Sequence, residues 1–254
     1  MIVRTGKDLC LIGERGAGKS FVARHFARAT GYAPVETVFI YSDMTARDLL
    51  QRRTTGEDKE TLWQPTPLTR AAVSGRLCVL DGIQRLPTGA IPALLRLVED
   101  RELTLFDGTR FVRPERYAAM RTELGMSEEE LTAKQIFPVH PGFRILALAT
   151  PPTGEAPWLT NEMLHLFHFF RLSIDLTSEE GREHSTALLQ AVVPGLPAEV
   201  PHALATFAAA MGNMEADQSN TVSASVSLRL MLRAARRAAI YPTDFYEIVA
   251  AGIM

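Results

Sequence analysis

The run Gly13-Glu14-Arg15-Gly16-Ala17-Gly18-Lys19-Ser20 has the residue types and spacing of a phosphate cradle. Glycines let a backbone curl until several N–H groups point at one anion. A helix that begins where the run ends adds the positive end of its dipole. Lys19 offers a compact cation to the β and γ phosphates of a nucleoside triphosphate, and the Ser20 hydroxyl can ligate Mg²⁺. The chemistry implied is binding of a nucleoside triphosphate with magnesium, ATP first. A glycine-rich turn that only joins a strand to a helix is the plainer alternative. The complete motif, with a strand before it and a helix after it, weighs against that alternative.

A second set of residues fits the same chemistry. Leu77-Cys78-Val79-Leu80-Asp81 is an apolar strand ending in an acid. In a P-loop fold such an aspartate holds the magnesium, directly or through water. Alone, it would be an acid that opens a turn. His165 and His168 lie close together in an apolar stretch. They read either as a metal pair or as packed histidines. Trp63 and Trp158 are single aromatics at loop edges and are assigned packing roles.

These residues need a scaffold. Short apolar runs alternate with helical patterns, the signature of an α/β fold with a mostly parallel sheet. The strands expected are 8–12, 37–41, 76–81, 143–149 and about 169–176. Helices are expected over 18–30, 46–50, 67–74 and 88–100. Beyond 176 the strand signals stop, and helices are expected over 178–193, 197–211, 225–240 and from 243 onward. Ser178 and Thr243, each followed by acids, read as helix starts. The chain therefore divides into an α/β nucleotide-binding core, 1–176, and a helical lid, 177–254. Residues 106–139 read as an insertion on the core, with a hairpin turn at Phe106-Asp107-Gly108-Thr109-Arg110 and a helix start at Ser127. The stretches 106–111 and 137–143 read as hairpins able to project and touch a substrate or a neighbour.

The bulk numbers are those of an ordinary globular protein, with 46% hydrophobic and 22% charged residues over 254 positions. A net charge of −2 gives no reason to invoke nucleic acid. No apolar run reaches the roughly 18 to 20 residues of a bilayer span. Cys10 and Cys78 sit in apolar strands and read as inert core thiols in a reducing compartment. The motif begins so near the first residue, and the last residues are so apolar, that a longer natural chain is expected.

Several further stretches carry a resemblance. They are Asp43 to Arg53, Trp63 to Ala72, Leu80-Asp-Gly-Ile-Gln-Arg-Leu86, Leu94 to Arg110 and His140 to Thr150. Together with the P-loop they resemble the dynein-related and MoxR-like AAA+ ATPases over most of the chain. GERGAGKS, ELGMSEEEL and HPGFRILALATPP look most like a module from large members that also carry a von Willebrand A domain. The resemblance implies a P-loop NTPase core with a C-terminal helical lid, and an ATPase that drives protein remodelling. It also implies a ring homo-oligomer or tandem AAA modules of a longer chain. It points to the mitochondrion for a eukaryotic chain and the cytoplasm for a bacterial one. It places Thr150 where a sensor residue orients the attacking water, and Arg229 where a lid arginine reaches the γ-phosphate. For Arg229 the alternative is a solvated basic face shared with Arg233, Arg236 and Arg237.

Three positions depart from the family pattern. Gly82 stands where a glutamate usually polarises the hydrolytic water, Thr150 where asparagine is usual, and Leu166 where an arginine finger is expected. The binding parts are present and the hydrolytic parts are depleted. Slow intrinsic hydrolysis is expected, and a structural ATP-binding module is the alternative to a remodelling ATPase. Glu14 or Glu99 could stand in as the base, and Arg171 could act toward a neighbour. A small-molecule kinase is disfavoured by the helical C-terminus and its sensor-like arginine.

Overall fold

A computed structural model of the chain describes residues 7–56, 59–152, 159–173, 175–176, 178–216 (backbone alone at 212–216) and 226–241. The expected helix from 243 onward, its cap at Thr243, and Trp158 lie outside these. In chain order the elements are β1 (Leu9–Ile12), α1 (Lys19–Ala29), β2 (Glu36–Phe39), α2 (Ala46–Leu50), β3 (Gln51–Thr55), β4 (Thr61–Pro65), α3 (Pro67–Ser74) and β5 (Leu77–Asp81). Then come α4 (Ile91–Glu99), β6 (Leu103–Thr104), β7 (Arg110–Val112), α5 (Pro114–Thr122), α6 (Glu128–Ala133), β8 (Ile136–Pro138), β9 (Arg144–Ala149), α7 (Asn161–Leu166) and β10 (His168–Arg171). Three helices close the chain: α8 (Glu179–Val192), α9 (Glu199–Ala216) and α10 (Leu228–Ile240). Contacts divide the chain into two compact units. One is Met1–Ile12 with Ser20–Arg171, and the other is Gly13–Lys19 with Leu172–Met254.

The first unit is built on a five-stranded sheet of order β10-β1-β9-β5-β2, parallel throughout. Successive side chains in a strand point to opposite faces. Leu9, Leu77, Val79, Leu146 and Leu148 therefore meet Ala23 and Ala27 of α1 on one face. Cys10, Cys78, Leu80, Ile145 and Ala147 join the larger core on the other, with Leu68 of α3 and Leu94 of α4. A parallel sheet covered on both faces needs near-continuously apolar strands, and the three inner strands β1, β5 and β9 are so, while the edge strands β2 and β10 carry Glu36, Thr37, His168 and Arg171. Burial pushes the Cys10 thiol up to about 12 and raises Cys78 as well, so neither supplies a thiolate at neutral pH.

The last strand is shorter than the expected 169–176. It ends at Arg171, because its partner β1 ends at Ile12 and the chain there turns into the glycine-rich loop. Helix 88–100 opens with a tight turn over Thr88–Ala90 before α4, whose first turn carries a proline.

Two features were not read from the sequence in this form. An antiparallel hairpin pairs β3 with β4, which puts Trp63 on a strand rather than at a loop edge. Residues 103–138 form a three-stranded sheet, β6-β7-β8, with α5 and α6 packed beside it. The expected hairpin at 106–110 is there, joining β6 to β7 around Gly108 at φ 95°. The expected projecting hairpin at 137–143 is not. Residues 136–138 pair in parallel with β7, and the apolar Val139 and Phe143 are buried in the main core.

The β3–β4 and β6–β7 hairpins are tied together. Gln51 Nε2 donates to Asp107 Oδ2 at 2.7 Å, and Gln51 Oε1 accepts from the Phe106 N–H at 2.9 Å. Trp63 and Phe106 stack with centroids 6.2 Å apart, and the Arg47 guanidinium lies over both rings. Burial raises the Asp107 carboxyl, but the Thr109 N–H and the Gln51 amide outweigh it and hold the group below its ordinary value.

The second unit is helical. Leu189, Val200, Leu204, Ala205, Met231 and Ala235 form its core, drawn from α8, α9 and α10. Ser178 caps α8 by accepting from the Gly181 N–H, and Ser227 caps α10 by accepting from the Leu230 N–H.

Candidate nucleotide site

The glycine-rich run occupies the turn between β1 and α1, with Lys19 as the first residue of α1. Gly16 and Gly18 adopt φ values of 88° and 91°, a region L side chains avoid. Gly16 is also needed for space. A Cβ there would stand 2.7 Å from Ser227 Oγ and 3.2 Å from Arg229 Cβ. The start of α10 thus abuts the loop, and Arg229 is the cation that this approach brings beside Gly16. Its side chain is exposed, as are those of Arg233, Arg236 and Arg237 on the same helix. The Lys19 ammonium donates to the loop's own carbonyls, Gly13 O at 2.6 Å and Glu14 O at 3.0 Å. To reach a phosphate it exchanges these neutral acceptors for charged ones, a favourable trade.

In the sheet unit, Ser20 Oγ donates to Asp81 Oδ2 at 3.4 Å. Asp81 ends β5, and β1, β5 and β9 run parallel, so the loop, Asp81 and Thr150 all follow the carboxyl ends of strands. Ligands bind at that edge in open α/β sheets. Two hard oxygen donors at this separation fit magnesium. Adjacent ligands of an octahedral Mg²⁺ with bonds of about 2.1 Å stand about 3 Å apart. Ser20 and Asp81 are the residues that would hold the ion, which would supply charge neutralisation between phosphate oxygens.

The hydrolytic positions look different. Gly82 adopts φ 84° and leads into a tight turn over Ile83–Arg85, and a Cβ there would collide with the Arg85 guanidinium. The glutamate usual in the family would be strained by this backbone and would have to displace the Arg85 side chain. Gly82→Glu is expected to lower stability by about 1–2 kcal/mol, the cost of a left-handed L residue, measurable as a reduced midpoint in urea. Thr150 directly follows β9, and its N–H donates to Gln84 Oε1 at 3.3 Å. Gln84 was not anticipated as a site residue. Its only signal was its closeness to Asp81 in sequence. Leu166 is 6% exposed and packs in the main core with Met163. Leu166, where the resemblance would put an arginine finger, is a side chain of the main core. Arg171 is exposed at the end of β10.

His165 and His168 fall on different elements, α7 and β10. Among the described residues no three His, Cys, Asp or Glu side chains are grouped to hold a metal ion. No described helix is long and apolar enough to cross a membrane.

The helical unit contains a cavity of about 270 Å³. Glu14, Arg15 and Ala17 of the loop line it, with Leu172, Val226, Met231 and Ser185 among the rest. A pocket this small suits one ring system and a sugar rather than a whole nucleotide.

Comparison with known proteins places these features in context. The model of the AAA domain (dynein-related subfamily) matches residues 8–167. The chain is 39% identical over 241 residues to von Willebrand factor A domain-containing protein 8 of Mus musculus, covering 94% of this chain and 12% of that protein. It is 36% identical over 98 residues to the denitrification regulatory protein NirQ of Pseudomonas aeruginosa, covering 39% of this chain and 37% of NirQ. Among solved structures, NtrX from Brucella abortus in complex with ATP superposes with a TM-score of 0.54 at 16% identity, over 94% of this chain and 48% of NtrX. That likeness is one of fold. The chain spans only a small part of its mouse relative's length.

Proposed function

Because the chain belongs to the dynein-related subfamily of AAA domains, we propose that it binds MgATP at Gly13–Ser20 and turns it over slowly. The observation that carries this reading is the pairing of Ser20 with Asp81 at 3.4 Å, where Ser20 directly follows in sequence a loop whose glycines adopt the required conformation. The loop N–H groups and Lys19 would take the phosphates, Ser20 and Asp81 the magnesium, and Arg229 the γ-phosphate from the start of α10. Thr150 would orient water, with Gln84 fixing its backbone. The module would act in a ring, or beside further AAA modules of a longer chain, with the C-terminal helices as a lid.

The test is calorimetry of MgATP binding. Lys19→Ala removes one charge-assisted contact, worth about 1.5–3 kcal/mol, and is expected to weaken binding roughly 10- to 150-fold. Equal affinity in the two proteins would remove the phosphate site from residues 13–20.

A second reading has its own support. Gly82 and the buried Leu166 favour a module that holds ATP for assembly, stabilised by ligand linkage, over one that drives remodelling. Turnover separates the two.

A further inference from the structure

The tight turn after Asp81 brings a cation to the place of the missing base. Gly82 is buried, and its N–H donates to the Leu148 carbonyl of the adjoining strand β9 at 2.9 Å. Its left-handed backbone opens the turn over Ile83–Arg85, and the Arg85 side chain lies back over it. A Cβ on Gly82 would stand 2.8 Å from Arg85 Nε and 2.9 Å from Cζ. The guanidinium therefore fills the space into which a side chain at 82 would start. Arg85 is exposed, and among the described residues its guanidinium has no hydrogen bond, ion pair or ring partner. Other arginines of the sheet unit are engaged: Arg70 and Arg76 with Glu36, Arg101 with Asp8, and Arg116 with Glu102. Ser20, Asp81, Gln84 and Arg85 all belong to that one unit.

We propose that Arg85 is a phosphate-binding residue of this site, and that it holds the terminal phosphate of MgATP from the space a glutamate at 82 would enter. The inference rests on the MgATP reading above and adds to it a residue that separates a triphosphate from a diphosphate. A guanidinium presents five N–H donors in a planar fork that matches phosphate oxygens. It has no acceptor and stays protonated, so it cannot take a proton from water. Putting it in place of a carboxylate therefore favours holding the triphosphate over cleaving it.

The test is calorimetry with MgATP and MgADP on wild type, Arg85→Gln and Arg85→Lys, at protein concentrations below and above any self-association. Arg85→Gln is expected to weaken MgATP about tenfold, the lower end for a charge-assisted hydrogen bond because the side chain is exposed. It is expected to leave MgADP unchanged. Arg85→Lys keeps the charge without the fork and is expected to restore part of the loss. An equal loss for both nucleotides, or an unchanged MgATP affinity, would overturn the assignment of Arg85 while leaving the phosphate loop in place. A loss seen only where the chain self-associates would also overturn it, by giving Arg85 to a neighbour's nucleotide. If wild type bound neither nucleotide, the phosphate reading itself would fall, and this inference with it.

Discussion

Under saturating MgATP the isolated chain is expected to release phosphate at least about a hundredfold more slowly than the enzyme median of about 10 s⁻¹. Two terms drive this result. A positioned general base contributes roughly 10²- to 10⁴-fold, and at the usual position the chain has Gly82 in a left-handed turn. An arginine finger contributes roughly 10³- to 10⁵-fold, and its position holds Leu166, 6% exposed in the main core. Self-assembly of the chain would not recover the second term through Leu166, because a leucine has no charge to offer. Leu166→Arg is no simple repair, since it would place an unpaired guanidinium among buried apolar side chains. The measurement is steady-state phosphate release, with Lys19→Ala as the blank. A rate near 10 s⁻¹ above that blank would show that another group does the work, with Gln84, Glu14 and Arg171 the first to replace.

Arg101→Ala is expected to cost about 3–5 kcal/mol of stability at neutral pH, toward the lower end because Arg101 keeps some contact with solvent. Asp8 is 1% exposed at its side chain and accepts from the Ile145 N–H at 2.7 Å, and the Arg101 guanidinium stands 2.9 Å from its other oxygen. Arg101 also lies over the Phe143 ring at 5.4 Å. Burial raises the Asp8 carboxyl above its ordinary 3.8, and Arg101, the Ile145 N–H and Arg144 pull the other way without cancelling it. A carboxyl whose folded pKa is raised contributes stability that is fully present below 3.8 and is lost as pH climbs through the folded value. Removing Arg101 raises that value further. The deficit of the variant is therefore expected to be larger at pH 7 than in acid, because protonation of Asp8 removes the need for a counter-charge. Urea unfolding of both proteins across this range reads it, and a deficit independent of pH would assign the loss to packing on Phe143 alone.

The parallel sheet was legible because its strands are short apolar runs, such as Leu77-Cys78-Val79-Leu80, whose two buried faces leave a continuous hydrophobic signal. The phosphate loop and Asp81 were legible for a related reason: their chemistry sits in contiguous residues. The β3–β4 hairpin was not, since Gln-Arg-Arg-Thr-Thr has mostly exposed side chains and no apolar alternation. Gln84 escaped because it matters only through a partner distant in the chain, the backbone N–H at Thr150. The consequence of glycine at 82 was half visible. The missing carboxylate could be read from the letters, but the left-handed backbone that would strain it could not. The expected strand over 169–176 ran too long because apolar residues continue after its pairing edge has gone.

The grouping of Gly13–Lys19 with the C-terminal helices limits how this protein can be dissected. A truncation ending at Arg171 would keep every strand and every letter of the phosphate motif. It would also strip away Leu172, whose carbonyl oxygen a Cβ on Gly13 would approach to 2.6 Å, and Ser227, which walls in Gly16. The excised fragment would carry the binding signature without the Leu172 and Ser227 neighbours of Gly13 and Gly16.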